Sequence, residues 1–253
     1  MDWYSVAIED NIQQAGAQTV VTGCYQQSDP FLCSLITRGG PPSLENPAIN
    51  YISLVGVPYY NQARTEAKGI DYEINFRKDV DWFGGGEFIG MRFLGSFLDE
   101  RTDINVAGVR TSIEGTFGVV PLANAGLPER AAVVSGDYNR GPLSLMLEAR
   151  YASSMIIQRT WNTGVAGGAS PALWDVKDNE TDAETILDAR FSYRFDTANG
   201  NIDLFFNVND LLDTEPEDFF TAPYSSNFST GTGLGVTGEN RGRRYTLGVR
   251  MAF

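Results

Sequence analysis

Arg244-Tyr245-Thr246-Leu247-Gly248-Val249-Arg250-Met251-Ala252-Phe253 closes the sequence. Read with a period of two, Tyr245, Leu247, Val249, Met251 and Phe253 fall on one face. Arg244, Thr246, Gly248, Arg250 and Ala252 fall on the other. Successive side chains of an extended chain point to opposite sides, so this stretch predicts a strand with one apolar and one polar face.

Working backwards, seven more segments show the same alternation. Ile202, Leu204, Phe206 and Val208 oppose Asp203, Phe205, Asn207 and Asn209, and Leu187, Ala189, Phe191, Tyr193 and Phe195 oppose Asp188, Arg190, Ser192 and Arg194. Leu143, Leu145, Leu147, Ala149 and Tyr151 oppose Ser144, Met146, Glu148 and Arg150. Ala131–Tyr138 is weaker, with Ala132, Val134 and Tyr138 as its apolar face. Ile89, Met91, Phe93 and Phe97 oppose Arg92 and Ser96; Ile70, Tyr72, Ile74 and Phe76 oppose Asp71, Glu73, Asn75 and Arg77. The first segment sets Tyr4, Val6 and Ile8 against Ser5, Ala7 and Glu9. A half-wet sheet reads this way, and so does a transmembrane barrel with lipid on one side.

The connections separate the two. Asp196–Gly200 and Asn139–Pro142 are tight turns, and Asp79–Gly85 is only slightly longer. Between them fall connections of roughly 25–40 residues, at about 10–50, 100–128, 159–182 and 210–242, lengths uncommon in compact soluble domains. In strict up-and-down order all the long ones lie at one end of the sheet. Short periplasmic turns and long extracellular loops are the habit of outer-membrane barrels. The expected fold is therefore all-β, an antiparallel up-and-down transmembrane β-barrel segment of about eight strands.

Composition agrees by exclusion. The chain has 253 residues, 42% hydrophobic and 20% charged, with a formal net charge of -13, no histidine and two cysteines. No run of about 18 apolar residues marks a spanning helix. The acidic balance argues against a nucleic-acid partner. Without histidine there is no Ser-His-Asp or Cys-His scheme and no His-based metal site. No nucleophile–base pair is legible either, so we name no catalytic residue, metal ligand or cofactor and do not expect an enzyme. Met1-Asp2-Trp3-Tyr4 leads straight into a strand, with no basic region and no apolar run of roughly 7–15 residues to mark a secretory signal. Either the protein is cytoplasmic or its true N-terminus lies upstream.

Cys24 and Cys33 stand close together in the first long connection. Such a pair reads as a local disulfide and an oxidising compartment, with two free thiols as the alternative. Asn11–Val20 before it is expected to form a short helix. Loop aromatics Trp161, Trp174, Phe219, Tyr224 and Phe228 are candidates for stacking on a ligand at the outer mouth; packing within the loops or at the membrane border is the alternative. Gly231–Gly235 lacks the lysine of a phosphate loop and reads as a flexible loop. The acidic clusters Asp178/Glu180/Asp182 and Asp213/Glu215/Glu217/Asp218 are either Ca²⁺ ligands or solvated charge. Asp71 and Glu73 have the residue types of a glycosidase pair but belong to a strand face, where ion pairing is the simpler role.

The stretch Asn207-Val208-Asn209-Asp210-Leu211-Leu212-Asp213, together with Gly242-Arg243 and the closing strand ending in Phe253, resembles the end of TonB-dependent outer-membrane receptors. Ala67–Glu73 is similar to a strand start of that family, and Asp2–Ile8 with the Cys24/Cys33 loop is similar to a subgroup with a paired-cysteine outer loop. The resemblance implies that Tyr245, Leu247, Val249, Met251 and Phe253 form the signal read by the barrel assembly machinery. It also implies that residues 1–253 are the C-terminal part of a 22-stranded barrel, its last eight strands, without signal peptide or plug domain. The implied setting is the outer membrane of a Gram-negative bacterium, with lipid around the wall and TonB engaged only through the missing plug. The implied function is energised uptake of a bulky nutrient, an oligosaccharide or an iron-siderophore. Two alternatives remain: a self-contained eight-stranded barrel with a structural or adhesive role, and a soluble all-β carbohydrate-binding or glycosidase-like domain.

Overall fold

The computed structural model describes residues 1–14, 16–39, 51–57, 59–104, 108, 110–116, 127–157, 162–163, 175–176, 179–198, 200–215, 218–220, 230–232 and 242–252. Eight strands form one sheet: β1 (Asp2–Gln14), β2 (Tyr59–Val80), β3 (Glu87–Ile104), β4 (Arg130–Arg140), β5 (Leu143–Ala152), β6 (Glu184–Thr197), β7 (Gly200–Asn209) and β8 (Arg244–Ala252). They are hydrogen-bonded in chain order, with the short strand Arg110–Ser112 added to β3. The three short turns fall where the alternation predicts them, between β2 and β3, β4 and β5, and β6 and β7.

The register sets apolar on apolar. Phe191 lies between Leu145 and Phe206, Ala189 between Leu147 and Val208, and Tyr193 between Leu143 and Leu204. β8 continues these rows, with Leu247 opposite Phe206 and Val249 opposite Leu204. On the other flank Phe93 meets Val134 and Ile89 meets Tyr138. A slip of one residue would turn each row to the polar side. Leu247 is 71% exposed, and Leu147, Val249, Met91 and Ile74 are exposed as well. The apolar face is uncovered among the described residues, whereas a soluble sandwich needs a second layer on this face.

The order of strands also corrects the self-contained barrel. β1 and β8 stand at opposite ends of the sheet, which is open rather than closed by pairing of its first and last strands.

Three local expectations also shift. β1, β2 and β3 run well beyond the segments 4–8, 70–76 and 89–97, because Tyr59–Lys68 and Leu98–Ile104 carry polar residues on both faces and give no period-two signal. The helix expected at Asn11–Val20 lies further on: Asn11–Gln14 continue β1, and Ala17–Gln27 form α1. Tyr4 departs from the apolar face. Its hydroxyl hydrogen-bonds Ser96 on the polar side, and its ring occupies the space that Gly69 leaves by having no side chain.

The described residues divide into two compact units. One comprises 1–4, 69–99 and 114–253, the other 5–68 and 100–113. In the first, the stems of the long connections are stitched together. Gly115 N–H bonds the Leu127 carbonyl, Ile156 N–H the Gly115 carbonyl, and Ile157 N–H the Asn179 carbonyl, each at 2.8 Å. Met155 and Ile157 are buried there. The second has a small core of Val20 and Leu32 with Leu35, Ile36 and Val55 against them.

Candidate functional site

The polar face of the sheet is made by the residues that alternate with the apolar rows. On β6 and β7, Arg194 and Asp203 stand opposite each other, and the guanidinium donates at 2.7 and 3.4 Å to the two carboxylate oxygens. Arg150 on β5 donates to Asp188 on β6 at 3.1 Å. Arg92 on β3 donates to Glu73 on β2 at 3.1 Å, and the same oxygen accepts the Asn75 amide at 2.9 Å. The Arg194–Asp203 and Arg92–Glu73 pairs are solvent-exposed and orient side chains more than they stabilise the sheet, whereas Asp188 of the third pair is buried. Phe205 also lies on this face, its ring over Gly248, where any β-carbon would collide with it.

An open cavity of about 600 Å³ lies against this face. Leu94, Ala131 and Val133 are among its apolar lining, and Asp71, Glu73, Ser96 and Arg150 its polar lining. An apolar floor with a few fixed polar groups suits an organic ligand with both kinds of surface. Asp71 and Glu73 are thus brought into one cavity. Glu73 is engaged by Arg92 and Asn75, as expected for a strand-face carboxylate.

At the far end of β7 the Asn-Asp-Leu-Leu-Asp stretch forms a clasp. Asp210, fully buried and left-handed at φ 53°, gives its N–H to Asp188 Oδ1 at 2.9 Å. Its own Oδ1 accepts the Thr214 N–H at 3.0 Å. Asp213 accepts the Arg243 N–H at 2.9 Å, tying the start of the last long connection to its end.

The second unit carries the cysteines. Cys24 and Cys33 are joined, their Cα atoms 4.6 Å apart. The bond links α1 to α2 (Pro30–Ser34), which Asp29 caps by accepting the Phe31 and Leu32 N–H groups at 2.8 and 3.1 Å. The Arg38 guanidinium lies 5.4 Å from the centre of the Tyr25 ring.

Of the candidate ligand aromatics, Trp161, Trp174, Tyr224 and Phe228 lie outside the described residues. Phe219 is described in backbone only, in the short strand Asp218–Phe220 that pairs with Thr230–Thr232. Phe253 lies outside the described residues as well. Tyr245, Leu247, Val249 and Met251 share the exposed apolar face of the edge strand β8. Asp178 and Glu217 of the acidic clusters are also outside. Among the described residues no three His, Cys, Asp or Glu side chains gather as a metal site, and no helix is long and apolar enough to cross a membrane. Sequence reasoning missed the Asp210 clasp and the Arg150–Asp188 pair. Each partner was legible, but the pairing needs the register.

The family model described as TonB dependent receptor-like, beta-barrel, matches residues 1–211, which take in β1 to β7. No curated protein gives a match. The family is one of outer-membrane transport receptors, not enzymes. An ordered meander with an uncovered apolar face, a paired polar face and a match over most of its length belongs to the TonB-dependent receptor-like β-barrel family.

Proposed function

We propose that this chain is the C-terminal eight-strand part of an outer-membrane receptor for a bulky nutrient, an oligosaccharide or an iron-siderophore. The outer loops and the polar-face cavity bind the ligand, and import is energised through TonB in the intact receptor of a Gram-negative bacterium.

One observation carries the membrane placement. Arg130 and Arg140 occupy the same face of β4, ten residues apart, with only Ala132, Val134, Gly136 and Tyr138 between them on that face. At about 3.4 Å per residue this spans about 34 Å along the strand. At a tilt of about 40° that is about 26 Å of height, against an apolar band of about 25 Å in outer-membrane barrels. Each arginine lies against an aromatic ring, Phe97 at 6.0 Å and Phe83 at 5.7 Å, as long cationic side chains do at a membrane border.

The open sheet supports a larger barrel. Unpaired backbone groups cost several kcal/mol each in hydrocarbon, so β1 and β8 call for partner strands. The disulfide supports an oxidising compartment.

Uptake measurement tests the proposal. In cells lacking other receptors for the nutrient, the intact receptor is expected to support uptake that stops when TonB is removed. The isolated chain is expected to support none; uptake by this chain alone would refute the reading.

A further inference from the structure

The turn between β2 and β3 is ordered around a single carboxylate. Glu87 is only 2% exposed. Its two oxygens accept the backbone N–H of Trp82 at 3.2 Å and of Phe83 at 2.8 Å. The Tyr138 hydroxyl hydrogen-bonds it, and Arg140 lies 3.6 Å away. Arg140 also donates to the Phe83 carbonyl. Gly84, Gly85 and Gly86 follow, all in the left-handed region, and return the chain to β3.

The result is a rigid turn whose two aromatic side chains are left uncovered. Trp82 is 61% and Phe83 64% exposed. The Trp82 ring lies nearly parallel to that of Tyr138, with centres 6.3 Å apart. Burying a carboxylate is costly unless donors surround it, and a short turn does not need one. The donors here do more than close the chain: they fix the backbone from which both rings project.

Position names the partner. Glu87 pairs in register with Arg140, one step beyond the apolar pair Ile89–Tyr138. The exposed rings therefore continue the apolar wall at its short-turn end. Arg140 stands at this end of β4, opposite Glu87, and on β2 Lys78 follows two residues after the exposed Phe76, towards the same turn. Amphipathic rings and cations at the rim of an apolar band match the headgroup and glycerol layer of a bilayer, where the rings bury and the cations meet phosphate.

We propose that Glu87 is a positioning residue that holds Trp82 and Phe83 as an anchor in the headgroup layer of the leaflet on the short-turn side, its partner a glycerophospholipid surface. The inference rests on the barrel reading above, and its test separates the two. Both native cysteines are consumed by the disulfide, so an added cysteine takes a fluorophore selectively. The intact receptor that contains this chain is reconstituted in phosphatidylethanolamine and phosphatidylglycerol vesicles that carry nitroxide lipids, labelled at Phe83→Cys or, as a mid-wall reference, at Val134→Cys.

A headgroup nitroxide is expected to quench position 83 at least about twofold more than a deep-chain nitroxide, with the reverse at 134. Adding Glu87→Gln is expected to cut the headgroup quenching at 83 to about half and to raise quenching by aqueous iodide, with 134 unchanged. Iodide quenching at 83 without lipid quenching, while 134 stays deep, would overturn the anchor and leave the barrel reading standing; that is also the result for a turn that docks a soluble protein. An unchanged signal at 83 in Glu87→Gln would overturn the role of Glu87. Loss of deep quenching at 134 would overturn the barrel reading and the anchor with it.

Discussion

Asp210 and Gly248 show how much single positions carry. Asp210 supplies an acceptor to the Thr214 N–H from a left-handed backbone that asparagine also tolerates. Asp210→Ala leaves that part-buried N–H without its acceptor and is expected to cost about 1–2 kcal/mol, whereas Asp210→Asn keeps an oxygen in place and is expected to cost under about 1 kcal/mol. Denaturant midpoints decide it, and equal midpoints for the two variants would contradict the clasp. At Gly248 the Phe205 ring occupies the place of a side chain. Gly248→Val is expected to destabilise by about 1–3 kcal/mol through overpacking, with partial recovery when Phe205→Ala is added. No recovery in the double variant would mean that the ring is not the obstacle.

Elements were legible where one face was apolar and the other polar. That pattern marked all eight strands, and the family resemblance of the loop and strand motifs agreed with it. It said nothing of Tyr59–Lys68, where polar residues alternate with one another as well as with apolar ones, and so the first half of β2 stayed hidden. α1 was misplaced because a polar helix of small residues has no strong periodicity; the Asp29-Pro30 cap of α2 was present in the sequence but stood inside what read as a loop. The loop aromatics were legible as residue types only, since which of them meet in space depends on loop paths that no periodicity encodes. The cysteine bond belongs to this scale. Replacing Cys24 and Cys33 by serine is expected to cost the helix pair about 2–3 kcal/mol in the chain-entropy account. Hydrogen exchange should then quicken across 17–34 and hold steady across 184–209. Quickening in both regions would mean that the bond supports the sheet as well.

For the whole molecule, the side of the wall decides the effect of a substitution. Val134 and Ser135 are neighbours on opposite faces of β4. Val134→Arg is expected to cost about 2–4 kcal/mol near the bilayer midplane and Ser135→Arg far less, as read from the folded fraction in vesicles. Equal effects would argue against lipid on the apolar face.

The polar face has a consequence for whatever passes along it. Arg92, Arg150 and Arg194 are ion-paired there with Glu73, Asp188 and Asp203. Along a wall so balanced, a solute meets a string of short-range dipoles instead of a net field. Dipole fields decay quickly, and counter-ions have little to screen. Recognition along this face should discriminate by shape and hydrogen bonding, and should respond weakly to the ionic strength of the surrounding medium.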